Sequence, residues 1–384
     1  VTKRPETDAV TAGRENQWRS LSPAMWPSTV WSSEGLDATN ARATALRSDQ
    51  FYGRYANPTV SQFEYAVAAL EGAESAVAFG SGMGALASVV LALCGSGSHI
   101  VAQDSLYGGT YSFLEGPCRR FGIDVTFVDA KVPGALTSAV VPGKTMLVIA
   151  ETPSNPCLEL VDLEELGAIR GPFTLVDSTL GTPLGQQPLR HGVDLVLHSA
   201  TKGIGGHNDA MIGVVAGEKD LIDAVWQYAV LHGASASPYD AHNALRGIKT
   251  LDVRTTRQAA SALSLATSLS RHPAVSAVHY PFLESHAQHD LARKQMRNGG
   301  SVLSFDLRGG ITHARALIDS LTLARPATSF GGPETLVCHP ATSTHVGMPP
   351  DLLSRIGITN GLIRVSVGLE HYDDILNDLV KTLG

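Results

Sequence analysis

The spacing of apolar and polar positions divides the chain into three stretches. Residues 1–50 are polar, mixed and weakly periodic, with Pro23, Pro27 and a run of Ala and Thr around Ala38 to Ala45. A stretch with no apolar face of its own is expected to act as an arm lying on a neighbouring subunit. From Ser61 the pattern turns helical, with Phe63, Val67 and Leu70 on one face of SQFEYAVAALEGAE. SAVAFGSGMGALASVVLALCGSG then reads as a short strand, a Gly-rich turn and a second helix. Beyond Gly97 the apolar runs HIVAQ, VTFVD, TMLVIAE, FTLVDS and DLVLHS alternate with helical stretches at Tyr107 to Arg119 and LEELGAI. Strands that are apolar throughout, at this spacing, predict a mostly parallel sheet covered on both faces, and hence an α/β domain over residues 51–246.

The third stretch has a different texture. A long helix is predicted from Asn243 to Leu269, with Pro273 as its stop. SVLSFDL and LIRVSVGLE read as strands with one packed face, and ITHARALIDSL and YDDILNDLVKTL as the helices that cover them. Residues 247–384 are therefore expected to form a smaller α+β domain.

Composition narrows the class. The chain has 384 residues, 43% of them hydrophobic and 17% charged, so a disordered chain is excluded. With 29 Lys and Arg against 36 Asp and Glu, nothing attracts it globally to nucleic acid or to an anionic membrane. Cys94, Cys118, Cys157 and Cys338 lie far apart with no CxxC spacing and read as reduced, buried thiols of a cytoplasmic protein. The opening residues lack the apolar core of a secretory signal, and the apolar stretch Ala85 to Cys94 is about half of a spanning helix.

Four segments can carry chemistry. Phe79-Gly80-Ser81-Gly82-Met83-Gly84, between a strand and a helix start, suits either a phosphate on backbone N–H groups or a tight packing turn. It matches neither a P-loop nor a dinucleotide fingerprint. Asp177 closes an apolar strand, where it is either a cap or a carboxylate paired with a cation such as a protonated ring nitrogen. Lys202, in His198-Ser199-Ala200-Thr201-Lys202, is a surface lysine or a Schiff-base lysine with Ser199 and Thr201 holding a phosphate. If the two preceding strands are adjacent and parallel, Asp177 and Lys202 point into one crevice. Arg364, inside an apolar strand, is a carboxylate clamp or a salt-bridge partner. His198, His207, His339 and His345 show no zinc-binding spacing, so no metal is expected.

In their order, YGRYANPT, SGMG, LYGGT, ETPSNP, VDST, HSATKGIGGHND, SPYDAHNALRGIKTL and GLIRVSVGLE resemble one family from about Tyr52 to the C-terminus. It is the cysteine and methionine metabolism class of pyridoxal-phosphate enzymes, which includes cystathionine γ-lyase, cystathionine γ-synthase and methionine γ-lyase. The resemblance implies an aspartate-aminotransferase-like (fold type I) large domain and pyridoxal 5'-phosphate as cofactor. It further implies that Lys202 forms the Schiff base, that Asp177 faces the pyridine nitrogen, and that Tyr107 stacks on the ring and serves the leaving group as acid or base. Gly82, Met83, Ser199 and Thr201 resemble the phosphate cup, completed by Tyr52 and Arg54 from the neighbouring subunit. Asn155, Ser329 and Arg364 resemble the substrate-side groups, with Arg364 taking the α-carboxylate. The family implies a homotetramer made of two catalytic dimers and a small sulfur amino acid as substrate.

Two positions bear on the reaction. Cystathionine-cleaving relatives often carry a Glu where this chain has Thr328, and the Phe51-Tyr52 pair resembles methionine γ-lyases. Both favour γ-elimination from L-methionine or a related thioether, giving 2-oxobutanoate, ammonia and a thiol. Methionine γ-lyases commonly carry a Cys where this chain has Gly109. The alternatives are cleavage of cystathionine and γ-replacement on an O-acylated homoserine; a non-catalytic scaffold is a remote one.

Overall fold

The structure, a computed structural model, describes residues 4–14 and 20–383. Residues 1–3 and 15–19 of the expected arm, and residue 384, lie outside the described residues.

The apolar runs of the middle stretch become strands β1 (Ser75–Phe79), β2 (His99–Gln103), β3 (Asp124–Val128), β4 (Thr145–Glu151), β5 (Phe173–Asp177) and β6 (Leu195–His198). With β7 (Gly213–Gly217) they form one sheet of order β1-β7-β6-β5-β4-β2-β3. All pairs are parallel except those of β7, which runs antiparallel to both β1 and β6. Unbroken apolarity has the predicted cause. Leu147, Ile149, Leu175, Leu195 and Leu197 pack on one face against the helices Gly82–Leu93 and Lys219–His232. The alternate residues Val148, Ala150 and Val176 pack on the other, partly against Leu163 and Leu166 of the helix Leu163–Gly167. Farther along that second face, Val196, Val214 and Ala216 meet the helices Pro58–Glu71 and Pro238–Ile248. Each such side chain removed from water contributes about 1.5–3 kcal/mol before conformational entropy is subtracted.

A second sheet contains β8 (Val275–His279), β9 (Val302–Leu307), β10 (Arg325–Pro326), β11 (Leu336–Cys338) and β12 (Leu362–Ser366), ordered β10-β11-β12-β9-β8. The helices Leu251–Leu269, Gly310–Ser320 and Tyr372–Val380 cover it, with Phe305, Ile363 and Val365 in the shared core. The whole is a fold type I, aspartate-aminotransferase-like architecture with a mostly parallel sheet and a smaller C-terminal domain.

Two local readings are corrected. The single helix expected from Asn243 to Leu269 is two, Pro238–Ile248 and Leu251–Leu269. Across the break Arg254 donates from Nη2 to the Gly247 carbonyl at 2.7 Å and from Nη1 to the Gly203 carbonyl at 2.8 Å, the second a tertiary contact that the local pattern does not reveal. The helix expected over Tyr107 to Arg119 starts at Gly108 and widens into a π turn at Leu114–Cys118. Pro117, which has no N–H to donate, sits in that turn. Strands β7 and β8 and the helix Lys219–His232 have no sequence-level prediction. Among the described residues no helix is long and apolar enough to cross a membrane.

Candidate active site

At the carboxyl edge of the larger sheet lies a cavity of about 310 Å³ whose lining brings together most of the expected residues. Gly82, Met83, Tyr107, Asn155, Asp177, Ser199, Thr201, Lys202, Thr328, Ser329 and Arg364 all face it. The topology accounts for this. Strands β5 and β6 are adjacent and parallel, so Asp177 at the end of one and the turn after the other open on the same side. Tyr52 and Arg54 do not line it. Arg54 instead stacks over Tyr52 and Tyr55, 5.4 and 5.3 Å from their ring centroids, and donates to the Val230 carbonyl at 2.7 Å.

Asp177 Oδ1 accepts the Thr179 N–H at 3.0 Å and its hydroxyl at 2.5 Å. The Thr179 hydroxyl oxygen in turn accepts the Ser199 N–H at 2.8 Å, linking the two strand ends. Burial pushes the Asp177 carboxyl above its ordinary range, against the pull of the Thr179 hydrogen bonds and His198. A carboxylate so placed is relieved by a cation in the cavity.

Lys202 Nζ donates to Ser329 Oγ at 2.8 Å and lies 5.4 Å from the Phe330 ring centroid. Burial, with Arg364 nearby, lowers its amine to about 8, so its neutral form, roughly a tenth of the total at pH 7, is far more accessible than that of an ordinary lysine. Ser329 has φ +83°, a left-handed conformation that costs a non-glycine residue about 1–3 kcal/mol. It is held by Arg364, whose Nη2 donates to the Ser329 carbonyl at 2.8 Å.

Arg364 is 2% exposed, and its Nη1 donates to Asn155 Oδ1 at 2.9 Å. Among the described residues its Nε has no hydrogen-bond partner. Of the two sequence-level alternatives, the salt bridge is not made: both contacts are to neutral oxygens. A buried cation with a spare donor suits an incoming carboxylate.

At the opposite wall Ser81 caps the helix Gly82–Leu93, its Oγ accepting the Gly84 N–H at 3.0 Å. The first-turn N–H groups and the helix dipole favour an anion there. A Cβ at Gly82 would lie 2.7 Å from Ser199 Cβ, so the Gly-rich loop touches the Ser199 turn closely. Gly82→Ala is therefore expected to separate the two and cost about 1–3 kcal/mol of stability, checked by thermal unfolding of the cofactor-free chain. The Thr201 hydroxyl is already shared with Ile212, accepting its N–H at 2.9 Å and donating to its carbonyl at 3.2 Å.

Sequence reasoning missed four side chains here. Glu151 ends β4 as Asp177 ends β5, and the two are register partners. Thr179 and Phe330 line the cavity beside Asp177 and Lys202. His345, considered only as a metal ligand, shares a hydrogen bond through Nε2 with the Asn155 carbonyl at 3.2 Å. Burial and Arg364 lower it to about 4, so it is neutral and donates from Nε2. His198 is engaged away from the cavity, its Nε2 2.6 Å from Glu71 Oε1 in a fully buried pair.

The donor set fits pyridoxal phosphate. A lysine whose amine gives up its proton readily suits the aldehyde, a buried carboxylate short of a cation suits the ring nitrogen, and a capped helix start with Ser199 suits the phosphate. Fold and site thus define a pyridoxal-phosphate-dependent enzyme of fold type I. More narrowly, the chain belongs to the Cys/Met metabolism PLP-dependent enzyme family, whose model matches residues 6–384. It is 38% identical over 384 residues to an L-methionine gamma-lyase of Fusobacterium nucleatum subsp. polymorphum, covering 98% of this chain and 97% of that one. To an O-succinylhomoserine sulfhydrylase of Pseudomonas aeruginosa it is 43% identical over 335 residues, covering 86% and 83%. The crystal structure of cystathionine gamma synthase from Xanthomonas oryzae pv. oryzae, in complex with aminoacrylate and cysteine, superposes with TM-score 0.93 at 35% identity, covering 100% of this chain and 98% of that one. This is an enzyme of sulfur amino acid metabolism that works by γ-elimination or γ-replacement.

Proposed function

We propose that the reaction is γ-replacement: a small thiol or sulfide displaces the γ-substituent of an O-acylated homoserine whose acyl group is small and uncharged. The charge inventory of the cavity carries this reading. Its charged lining residues are Glu151, Asp177, Lys202 and Arg364. With Lys202 and Asp177 engaged by the cofactor and Arg364 by the α-carboxylate, no cation remains on these walls for a second carboxylate. Thr328, exposed at the rim, is likewise neutral. A neutral acyl group fits this wall better than a succinyl group or the second headgroup of cystathionine.

Bound pyridoxal phosphate supplies a conjugated ring that accepts the electrons released when the Cα–H bond breaks. The chain's own residues do the rest. Arg364 Nη and Nε atoms hold the α-carboxylate, Lys202 Nζ takes the proton from Cα and moves it along the substrate, and Tyr107 Oη protonates the departing oxygen. Asp177 keeps a positive charge on the ring nitrogen.

Gly109 supports replacement over elimination from methionine. The Tyr107 ring leans across it: a Cβ at position 109 would lie 2.5 Å from Tyr107 Cε1. The Cys common in methionine γ-lyases would have to displace the ring from this position. Elimination from L-methionine, favoured by the Phe51-Tyr52 pair and by the Fusobacterium relative, is the second reading. Incubation with O-acetylhomoserine and sulfide should yield homocysteine faster than L-methionine yields 2-oxobutanoate. The reverse order of kcat/KM would overturn the choice.

The active unit in this proposal is a dimer, paired into a tetramer, in which Tyr52 and Arg54 reach a neighbour's phosphate cup. The helix Leu36–Thr44 buries none of its residues within the chain, and Leu36 is 89% exposed. A second copy of the chain is the cover that suits this arm.

A further inference from the structure

Glu151 is 5% exposed, lies beside another carboxylate and has no part in the chemistry set out above. Its two oxygens are both used. Oε2 accepts the Tyr107 N–H at 2.8 Å and Oε1 accepts the Asn155 N–H at 2.8 Å. Its own backbone is fixed by Gln103, whose Oε1 accepts the Glu151 N–H and whose Nε2 donates to the Glu151 carbonyl, both at 2.9 Å. The chain of contacts continues beyond Asn155: Arg364 Nη1 donates to its Oδ1, Arg364 Nη2 to the Ser329 carbonyl, and Lys202 Nζ to Ser329 Oγ.

We propose that Glu151 is a positioning residue whose carboxylate spans the Tyr107 segment and the Asn155–Arg364 clamp, fixing the distance between the leaving-group acid and the α-carboxylate receiver. The geometry needs a carboxylate of this length. An amide in its place would turn an NH₂ toward one of two N–H donors, and an aspartate is one methylene short of bridging both. Placing an anion next to Asp177 is unfavourable: burial and the Asp177 charge push the Glu151 carboxyl upward, while the Tyr107 and Asn155 N–H groups pull it back toward the ionised form. Its persistence there is accounted for by the two amides it joins. The proposal rests on the reading of Arg364 as carboxylate receiver, but not on which γ-group leaves.

The test compares Glu151→Gln, Glu151→Asp and Arg364→Lys in the full chain. Site-resolved hydrogen exchange, with and without pyridoxal phosphate bound, should show the Tyr107 and Asn155 amides exchanging roughly 10- to 100-fold faster in Glu151→Gln, with β4 and β5 unchanged. In the holoenzyme KM for the amino acid should rise about 10-fold or more, and Glu151→Asp should not restore it. Combining Glu151→Gln with Arg364→Lys should cost less than the sum of the two alone, because both loosen one clamp. Unchanged exchange at either amide overturns the proposal. So does an unchanged KM in Glu151→Gln when Arg364→Lys raises it. A KM unmoved by Arg364→Lys itself refutes the receiver assignment and the substrate half of the proposal with it, while the exchange result still decides the structural half. If Glu151→Gln fails to fold, Glu151→Asp alone must show faster exchange at one of the two amides, and its absence overturns the idea.

Discussion

Lys202→Ala is expected to lower kcat/KM by roughly 10⁴-fold, the largest effect of any single change in the cavity. Among the described lining residues the amine is the strong nitrogen nucleophile whose neutral form lies within reach of working pH. Its environment makes that form accessible: burial and Arg364 bring it to about 8 from an ordinary 10.5. The sign of the pH dependence follows. Only the unprotonated amine attacks an aldehyde or takes a proton, so covalent uptake of pyridoxal phosphate by the cofactor-free chain should accelerate as pH rises through about 8, then level off. Removing the neighbouring cation raises an amine's pKa, so Arg364→Gln should move that midpoint upward. Stopped-flow absorbance of cofactor uptake checks both, and methylamine should return part of the activity of Lys202→Ala. A variant without the lysine that keeps a tenth of wild-type turnover would remove Lys202 from the mechanism.

Asp177→Asn should cost roughly 10²- to 10³-fold in kcat/KM. The substitution isolates charge from shape. An asparagine Oδ1 can still accept both Thr179 donors, so the end of β5 stays in place while the anion is lost. A second effect is expected one strand away. The Asp177 charge helps to raise Glu151, so in Asp177→Asn the Glu151 carboxyl should ionise at lower pH than in the unaltered chain. Infrared titration of the protonated carboxyl band follows this without any turnover. Near-normal activity in Asp177→Asn would mean that no positive charge is held opposite that carboxylate.

Much of this was legible in the chain because the relevant signals are local. Strands covered on both faces need unbroken apolarity, and HIVAQ, TMLVIAE and DLVLHS have it. A strand that ends in Asp, and a turn with Lys after the next strand, were enough to place Asp177 and Lys202 in one crevice. What escaped depends on contacts distant in sequence. Strand β7 inserts between β1 and β6, and its short Gly-bounded run GVVAG carries no mark of that position. The break near Lys249 is braced by Arg254, which donates to the distant Gly203 and Ile204 carbonyls as well as to Gly247, in a stretch with no proline to announce it. Glu151 was readable in principle: TMLVIAE ends in an acid as FTLVD does, and the same reasoning applied to both strands would have found it. Arg364 showed the reverse limit, since its residue type fitted two roles until its neutral partners were known.

Arg364, the proposed receiver of the α-carboxylate, sits on β12 of the smaller sheet, whereas Lys202 and Asp177 belong to the larger one. Asn155 and Ser329 already aim it before any amino acid arrives. The site therefore acts as a caliper with its jaws set: an α-amino acid carries its carboxylate and its amine on one carbon, so any such substrate spans the two sheets in the same way, whatever its side chain. Recognition of the amino-acid end is thus built into how two sheets are fastened together, and it operates before any bond is broken.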